Sequence, residues 1–173
     1  MLMYNMERWV RARGKSSDND WNTTPYIWDK LMPHIPKDRD IWCPFYNDGT
    51  SGEYLAKQNL NVIHQPEDFW ETMYDDVVVV DNPPYRIPSI VKLKYKIMLR
   101  LCEAKIPFML LFPSTTIQTH YFKKLEETYG KFQVIMPCEK YDFIKSDGSG
   151  GKCLFYTLWI CWNMDLPKDL ISL

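Results

Sequence analysis

Residues 77–81 read Val-Val-Val-Val-Asp, followed by Asn82-Pro83-Pro84-Tyr85. The valines show no alternation of apolar and polar positions. A β-branched run of this kind is a strand buried on both faces, as in a parallel sheet covered by helices. Pro83 and Pro84 have no N–H to give a ladder, so the strand stops before them. The chain leaves the sheet abruptly, holding a carboxylate, an amide and an aromatic ring at the strand's carboxyl end. In open α/β sheets, ligands bind at that edge.

The remaining sequence is consistent with such a sheet. A chain of 173 residues, 46% hydrophobic and 25% charged, has the length and composition of one globular domain with a substantial core. Residues 1–20 are polar and charged and read as an N-terminal arm, with 21–173 as the domain. Arg8, Arg11 and Arg13 in the arm can contact phosphates or simply form a solvated basic tail. The net charge of −1 supplies no global attraction to nucleic acid, so any such contact needs a local patch. Cys43, Cys102, Cys138, Cys153 and Cys161 form no CxxC, and His34, His64 and His120 are scattered among them. That spacing offers no metal site and reads as free thiols in a reducing compartment, cytoplasmic or nuclear. The first residues have no signal-peptide core, and no apolar run is long enough to span a membrane.

Taken in order, the elements alternate as in βαβ units. Thr24 and Pro25 open a helix carrying Ile27, Trp28, Leu31 and Met32 on one stripe. A strand over 41–45 runs into the small-residue loop Tyr46 to Gly52, then a helix from Glu53 to Gln58. A second strand, 61–64, ends at His64-Gln65. Rossmann-like sites usually put Asp or Glu there for the ribose hydroxyls; Gln65 can accept one such bond, more weakly. Asp68 caps a short helix from Phe69 to Met73. After the 77–81 strand, Ile90, Leu93, Ile97, Met98 and Leu101 give an amphipathic helix. Lys92, Lys96 and Arg100 follow at i, i+4 and i+8, with Lys94 beside them and Arg86 just before. This stripe is a solvated face or a phosphate contact. Strands are expected at 107–112, 132–136 and 153–162. A helix capped by Ser114-Thr115-Thr116 carries Tyr121, Phe122 and Leu125 inward, and a Gly-rich hairpin or loop spans 140–151.

Asp81-Asn82-Pro83-Pro84-Tyr85 resembles the (D/N)PP(Y/F/W) motif of S-adenosylmethionine-dependent amino methyltransferases, the adenine-N6 class above all. An ordinary proline turn fits the same residues. Cys43-Pro44-Phe45-Tyr46-Asn47-Asp48-Gly49 is similar to that family's (D/E)PFxGxG cofactor loop, with Cys43 in the acidic position and Asn47 in place of the first glycine. The resemblance implies an α/β, Rossmann-like class I methyltransferase fold. Its sheet is mostly parallel and seven-stranded, its last strand antiparallel, its helices on both faces. It implies a cofactor site for S-adenosylmethionine built from Thr24, Pro25, Pro44, Phe45, Asn47, Gly49, Gln65, Asp68, Phe69 and Asp81. Thr24-Pro25 would sit at the methionine end, and Asp68 and Phe69 at the adenine.

By the same resemblance Asn82, Pro83, Pro84 and Tyr85 are the catalytic loop. An exocyclic aromatic amine is a poor nucleophile because its lone pair is delocalised into the ring. Acceptors at the Asn82 side-chain oxygen and the Pro83 carbonyl favour its pyramidal form, and the two prolines hold them preorganised. Tyr85 can stack on the target ring. Asp81 is placed to hydrogen-bond the loop or touch the cofactor, not to act as a general base. The substrate expected is adenine in DNA or RNA, single-stranded or flipped, with Arg86, Lys92, Lys96 and Arg100 along its backbone. Two other readings stand beside it: methylation of a protein glutamine amide, and a catalytically weak subunit that binds nucleic acid or a partner. With no segment left over to read base edges, specificity is expected from a partner subunit or a second copy.

Overall fold

The valine run lies in the middle of a seven-stranded sheet. The computed structural model describes residues 21–87, 89–145 and 147–173; the arm expected over 1–20, with its three arginines, lies outside them. In chain order the elements are β1 (Trp21–Thr23), α1 (Pro25–Leu31), β2 (Asp40–Trp42), α2 (Thr50–Ala56), β3 (Val62–Ile63), β4 (Val77–Asp81), α3 (Leu93–Glu103), β5 (Phe108–Pro113), α4 (His120–Tyr129), β6 (Phe132–Met136), β7 (Asp142–Lys145), β8 (Gly150–Lys152), β9 (Thr157–Trp162) and β10 (Leu170–Ser172). The large sheet runs β10-β6-β9-β5-β4-β2-β3. All neighbours are parallel except β9, which lies antiparallel between β5 and β6. This is the Rossmann-like class I arrangement expected from the sequence.

Both faces of the sheet are covered, so β4 has no polar side. Val77 and Val79 join Phe108, Leu110 and Phe112 of β5 under α3 and α4, through Leu93, Ile97, Leu101, Phe122 and Leu125. Val78 and Val80 join Met109 and Leu111 on the opposite face, under Ile27, Trp28 and Leu31 of α1 and Leu55 of α2. Each buried valine is worth about 1.5–3 kcal/mol of apolar transfer. A polar residue anywhere in 77–80 would lose that and leave a buried group unpaired.

Several sequence-based expectations are corrected. The final strand begins at Thr157, not at Cys153, and the seventh strand of the sheet is the tail itself, β10, paired parallel with β6. A separate three-stranded sheet, β1-β7-β8, joins residues 21–23 to the Gly-rich hairpin. Residues 69–73 form a turn rather than a helix. Thr24 is the first residue before α1 but makes no side-chain cap; its hydroxyl donates to the Asp142 carbonyl at 3.4 Å. α2 starts at Thr50, three residues early, because Asp48 accepts from both its N–H (3.1 Å) and its hydroxyl (2.7 Å). Residues 114–118 are a short 3-10 turn, and the cap of α4 is Thr119, whose hydroxyl oxygen accepts from Phe122 N–H at 3.3 Å. Lys92 precedes α3 in a left-handed conformation (φ 56°) and is not on the helix.

Candidate active site

β2, β3, β4 and β5 all deliver their carboxyl ends to one edge, and β9 starts there from the opposite direction, Thr157 facing Pro113. β4 ends on Asp81, 2% exposed. Its carboxylate accepts Phe45 N–H on one oxygen and Asn82 N–H on the other, each at 2.7 Å. Burial pushes its pKa up to about 7, with these two N–H groups pulling the other way. Beside it, the buried Cys43 thiol donates to the Val80 carbonyl at 3.2 Å. Burial, then the Asp81 charge, push that thiol well up, so it is no nucleophile. A carboxylate at position 43 would face Asp81 inside the protein; the thiol avoids that repulsion.

Asn82 follows at the strand end. Its side-chain oxygen is buried and has no donor among the described residues. A buried acceptor without a donor costs about 1–3 kcal/mol, which an incoming N–H would relieve. Pro83 is buried and Pro84 half-buried. Tyr85 packs against Phe112 (centroids 6.2 Å apart) and Phe155 (5.9 Å). Burial pushes its hydroxyl up, and Cys153 adds to this.

Phe155 lies before the start of β9, in a segment expected from the sequence to be strand. Leu154, Phe155 and Tyr156 are 92%, 40% and 51% exposed at the rim of the site. The segment is held in place: the Tyr156 carbonyl accepts Ser114 N–H at 2.8 Å, and Lys140 donates to the Leu154 carbonyl at 3.0 Å. The Lys140 ammonium also lies over the Tyr156 ring, 5.2 Å from its centre. In the sequence the apolar run from Cys153, broken only by Thr157, hides these residues. The only signal is that the run is too long for one strand directly after a hairpin.

The loop after β2 is braced from two sides. Asn47 takes a positive φ of 47°, as expected of Asn in place of glycine. Its amide donates to the Asn22 side-chain oxygen, and the Asn22 amide donates to Asp48, so β1 pins the loop. Gly49 has φ 90° and a Cβ there would lie 2.9 Å from the Tyr46 hydroxyl; only glycine fits. Pro44 and Phe45 are buried beneath. The Tyr46 ring stacks on His64, 4.7 Å away, at the end of β3. His64 Nδ1 lies 2.9 Å from the Cys43 carbonyl and must donate to it, which leaves Nε2 as a buried acceptor without a partner among the described residues. Burial lowers the His64 pKa, against the Cys43 bond and the Asp48 and Glu53 charges. The ring sits so close to α2 that a Cβ on Gly52 would come within 2.2 Å of it.

The expected site residues therefore divide. Pro44, Phe45, Asn47, Gly49, Asn82, Pro83, Pro84 and Tyr85 lie on the two loops at this edge, and Asp81, at the end of β4, joins them. Thr24 is half-buried and Pro25 exposed at the start of α1, next to Asn22. Gln65 is exposed. One Asp68 oxygen accepts Trp70 N–H at 2.8 Å, fixing the turn. Phe69 is 1% exposed, packed on Phe45, Trp42 and Trp70, and has no face open to a ligand. Arg86, Lys92 and Lys96 are exposed, but Arg100 is not part of a stripe with them. It turns inward, donating to the Thr72 carbonyl at 3.2 Å with its guanidinium 5.6 Å from the Phe69 ring centre.

No protein-family model and no curated protein sequence matches the chain. Solved structures of similar fold include a modification subunit of a putative type I restriction enzyme from Vibrio vulnificus YJ016, at 13% identity and TM-score 0.49 over 92% of this chain. This chain spans 47% of that one, about half its length. A tRNA methyltransferase, TrmI, from Aquifex aeolicus is similar at 12% identity and TM-score 0.48, over 90% of this chain and 75% of that one. Precorrin-6y C5,15-methyltransferase from Geobacter metallireducens GS-15 is similar at 10% identity and TM-score 0.48, over 85% of this chain and 92% of that one.

Proposed function

We propose that this chain is an S-adenosylmethionine-dependent methyltransferase acting on the exocyclic N6 amine of adenine in DNA or RNA, with the base out of its stack. The observation that carries the reading is the orphaned buried oxygen of Asn82, at the carboxyl end of the central strand and next to an aromatic pair, Tyr85 and Phe155.

The residues present fit the cofactor. The tight loop from Pro44 to Gly49 and the Thr24-Pro25 segment would hold its methionine end. The orphaned Nε2 of His64, an acceptor at the end of β3, stands where a Rossmann site keeps a carboxylate for the ribose. Asp68 would take the adenine amine. S-adenosylmethionine supplies an electrophilic methyl group on its sulfonium.

The chain's own residues do the rest. Asn82 Oδ1 and the Pro83 carbonyl accept the two amine N–H groups and favour the pyramidal nitrogen. Pro83 and Pro84 keep those acceptors fixed. The amine proton leaves to solvent after transfer, so no general base is needed. Tyr85 supports the base from one side. Phe155 covers it from the other, and Lys140 beside Tyr156 with the exposed Arg86, Lys92 and Lys96 supply cations for a phosphate backbone.

One observation favours a second reading, a methyltransferase-like subunit with weak or no catalysis: no carboxylate ends β3, and a neutral imidazole is a poorer ribose acceptor than an ion. Methylation of a protein glutamine amide uses the same two acceptors but makes no use of the aromatic pair. A labelled-methyl transfer assay offering single-stranded DNA, duplex DNA, RNA and protein extract side by side separates the three. Label in single-stranded nucleic acid supports the proposal. Label in protein supports the amide, and no label at millimolar cofactor supports the subunit.

A further inference from the structure

Asp81 is the one carboxyl group among the described residues that is both fully buried and placed between two loops of the site. We propose that Asp81 is a positioning residue: its carboxylate, taking Phe45 N–H on one oxygen and Asn82 N–H on the other, holds the cofactor loop and the catalytic loop in register only while it is ionised. This rests on the methyltransferase reading of the site and adds to it a means by which pH governs the geometry of Asn82.

The geometry makes the dependence on ionisation direct. A carboxylate accepts on both oxygens. Protonation takes up one lone pair and leaves a neutral group whose hydroxyl oxygen is a much weaker acceptor for an N–H. Both oxygens here face backbone N–H groups at 2.7 Å, so protonation weakens one of the two bonds and loosens the clamp. If the Phe45 bond goes, the loop after β2 keeps its Cys43 tie to the Val80 carbonyl but loses the one that seats Phe45 against the end of β4. If the Asn82 bond goes, the residue carrying the candidate catalytic acceptor loses its backbone anchor. Either event moves the two halves of the site relative to each other. A misplacement of about 1 Å is enough to cost roughly 10²-fold in rate.

The surroundings explain why this group and not another titrates in the useful range. From β2 the titratable neighbour is the Cys43 thiol, held neutral by burial and by Asp81 itself. In β5 the residue in register is Leu110, which is apolar. What acts on the Asp81 proton is burial, opposed by the Phe45 and Asn82 N–H groups, and the balance falls at about 7.

The test uses 15N-labelled protein without cofactor or substrate, followed through the backbone amides of Phe45 and Asn82 from about pH 5 to 9. The expected result is that both amides titrate together near neutrality, and that neither does in Asp81→Asn. A methyl-transfer pH profile accompanies it. In the wild type kcat falls about tenfold per pH unit below that midpoint, with little change in KM for the base. In Asp81→Asn kcat is at least tenfold lower and flat with pH. Amides of Phe45 and Asn82 that stay unmoved across the range overturn the proposal, and so does an Asp81→Asn variant with the wild-type profile. If Asp81→Asn fails to fold, the wild-type titration alone decides. A protein that shows the paired titration but transfers no methyl group keeps the clamp and overturns the reading of the site instead.

Discussion

Tyr85 and Phe155 lie 5.9 Å apart, ring centre to ring centre, with their planes at 58°. A base stacked between two rings needs ~7 Å, two contacts of ~3.5 Å each. The pair leaves no room for a base between its rings, so stacking on Tyr85 requires the side chain of Phe155, 40% exposed on a segment whose main chain is held, to turn aside. Phe155→Ala should weaken binding of an adenine substrate by about 1–3 kcal/mol, the usual worth of one stacked base, and leave cofactor binding unchanged. Fluorescence titration with a short single-stranded oligonucleotide measures it. An unchanged affinity would remove Phe155 from the site.

Asn82→Ala should lower kcat by about 10²–10³, the usual cost of one lost transition-state acceptor, with cofactor affinity nearly intact. Because the Asn82 oxygen has no donor among the described residues, the substitution breaks no bond of that oxygen, and thermal stability should hold. Calorimetry with S-adenosylmethionine on the variant checks this. Loss of cofactor binding in step with turnover would make Asn82 structural.

The basic residues near the site should separate into two groups. Lys92→Glu with Lys96→Glu should weaken nucleic-acid binding with little change in melting temperature, since both are exposed. Arg100→Glu should instead destabilise the fold. It removes a hydrogen bond to Thr72 and a cation–π contact with Phe69 that together are worth about 1–3 kcal/mol. Thermal melts and a binding titration on both variants test the division, and a stable Arg100→Glu that has lost binding would contradict it.

Gly52→Ala should destabilise by about 1–3 kcal/mol, because the new methyl meets the His64 ring at 2.2 Å. Adding His64→Ala should recover most of the loss, giving a coupling that denaturant titration reads directly. Independent, additive effects would mean the ring is not seated against α2.

Asp81 also sets a pH dependence of stability. Its folded pKa of about 7 lies above the unfolded value near ~3.9, so between the two the folded state binds more protons and stability falls as pH rises. Once ionised, above about pH 7, the carboxylate costs the fold roughly 4 kcal/mol at most. Asp81→Asn removes that titration but leaves one N–H without its acceptor, which costs about 1–3 kcal/mol. The variant's melting temperature relative to wild type should thus climb between pH 5 and about 8. A constant difference would contradict the assignment.

The centre of this fold was legible in the sequence because its signals were local and unopposed. Val77 to Val80 can only be a strand covered on both sides, and Pro83-Pro84 can only end it. The edges were not legible. β10 is only three residues, Leu170–Ser172, too short for a periodicity to show, and is defined by its pairing with β6; β1, also three residues, is likewise defined by its pairing with β7. Arg100 looked like one of three cations at helical spacing, but the 69–72 turn recruits it, a tertiary contact that no periodicity encodes. Asn22, His64 and Phe155 reach the site from segments distant in sequence, through a small sheet, a ring stack and an exposed rim. Asp81 stood next to the motif, yet its engagement with Phe45 depends on the register of β2 against β4.

The proposed methylation of adenine N6, with Asn82 as the acceptor, leaves a mark that can be weighed. The most direct measurement is mass analysis of a single-stranded oligonucleotide containing one adenine, incubated with the protein and S-adenosylmethionine, beside the same oligonucleotide without adenine and beside the Asn82→Ala protein. The account predicts one added methyl group, on N6 of that adenine, absent from the adenine-free strand and reduced at least a hundredfold with Asn82→Ala. A methyl group on another base, equal product from Asn82→Ala, or no product at millimolar cofactor would contradict it.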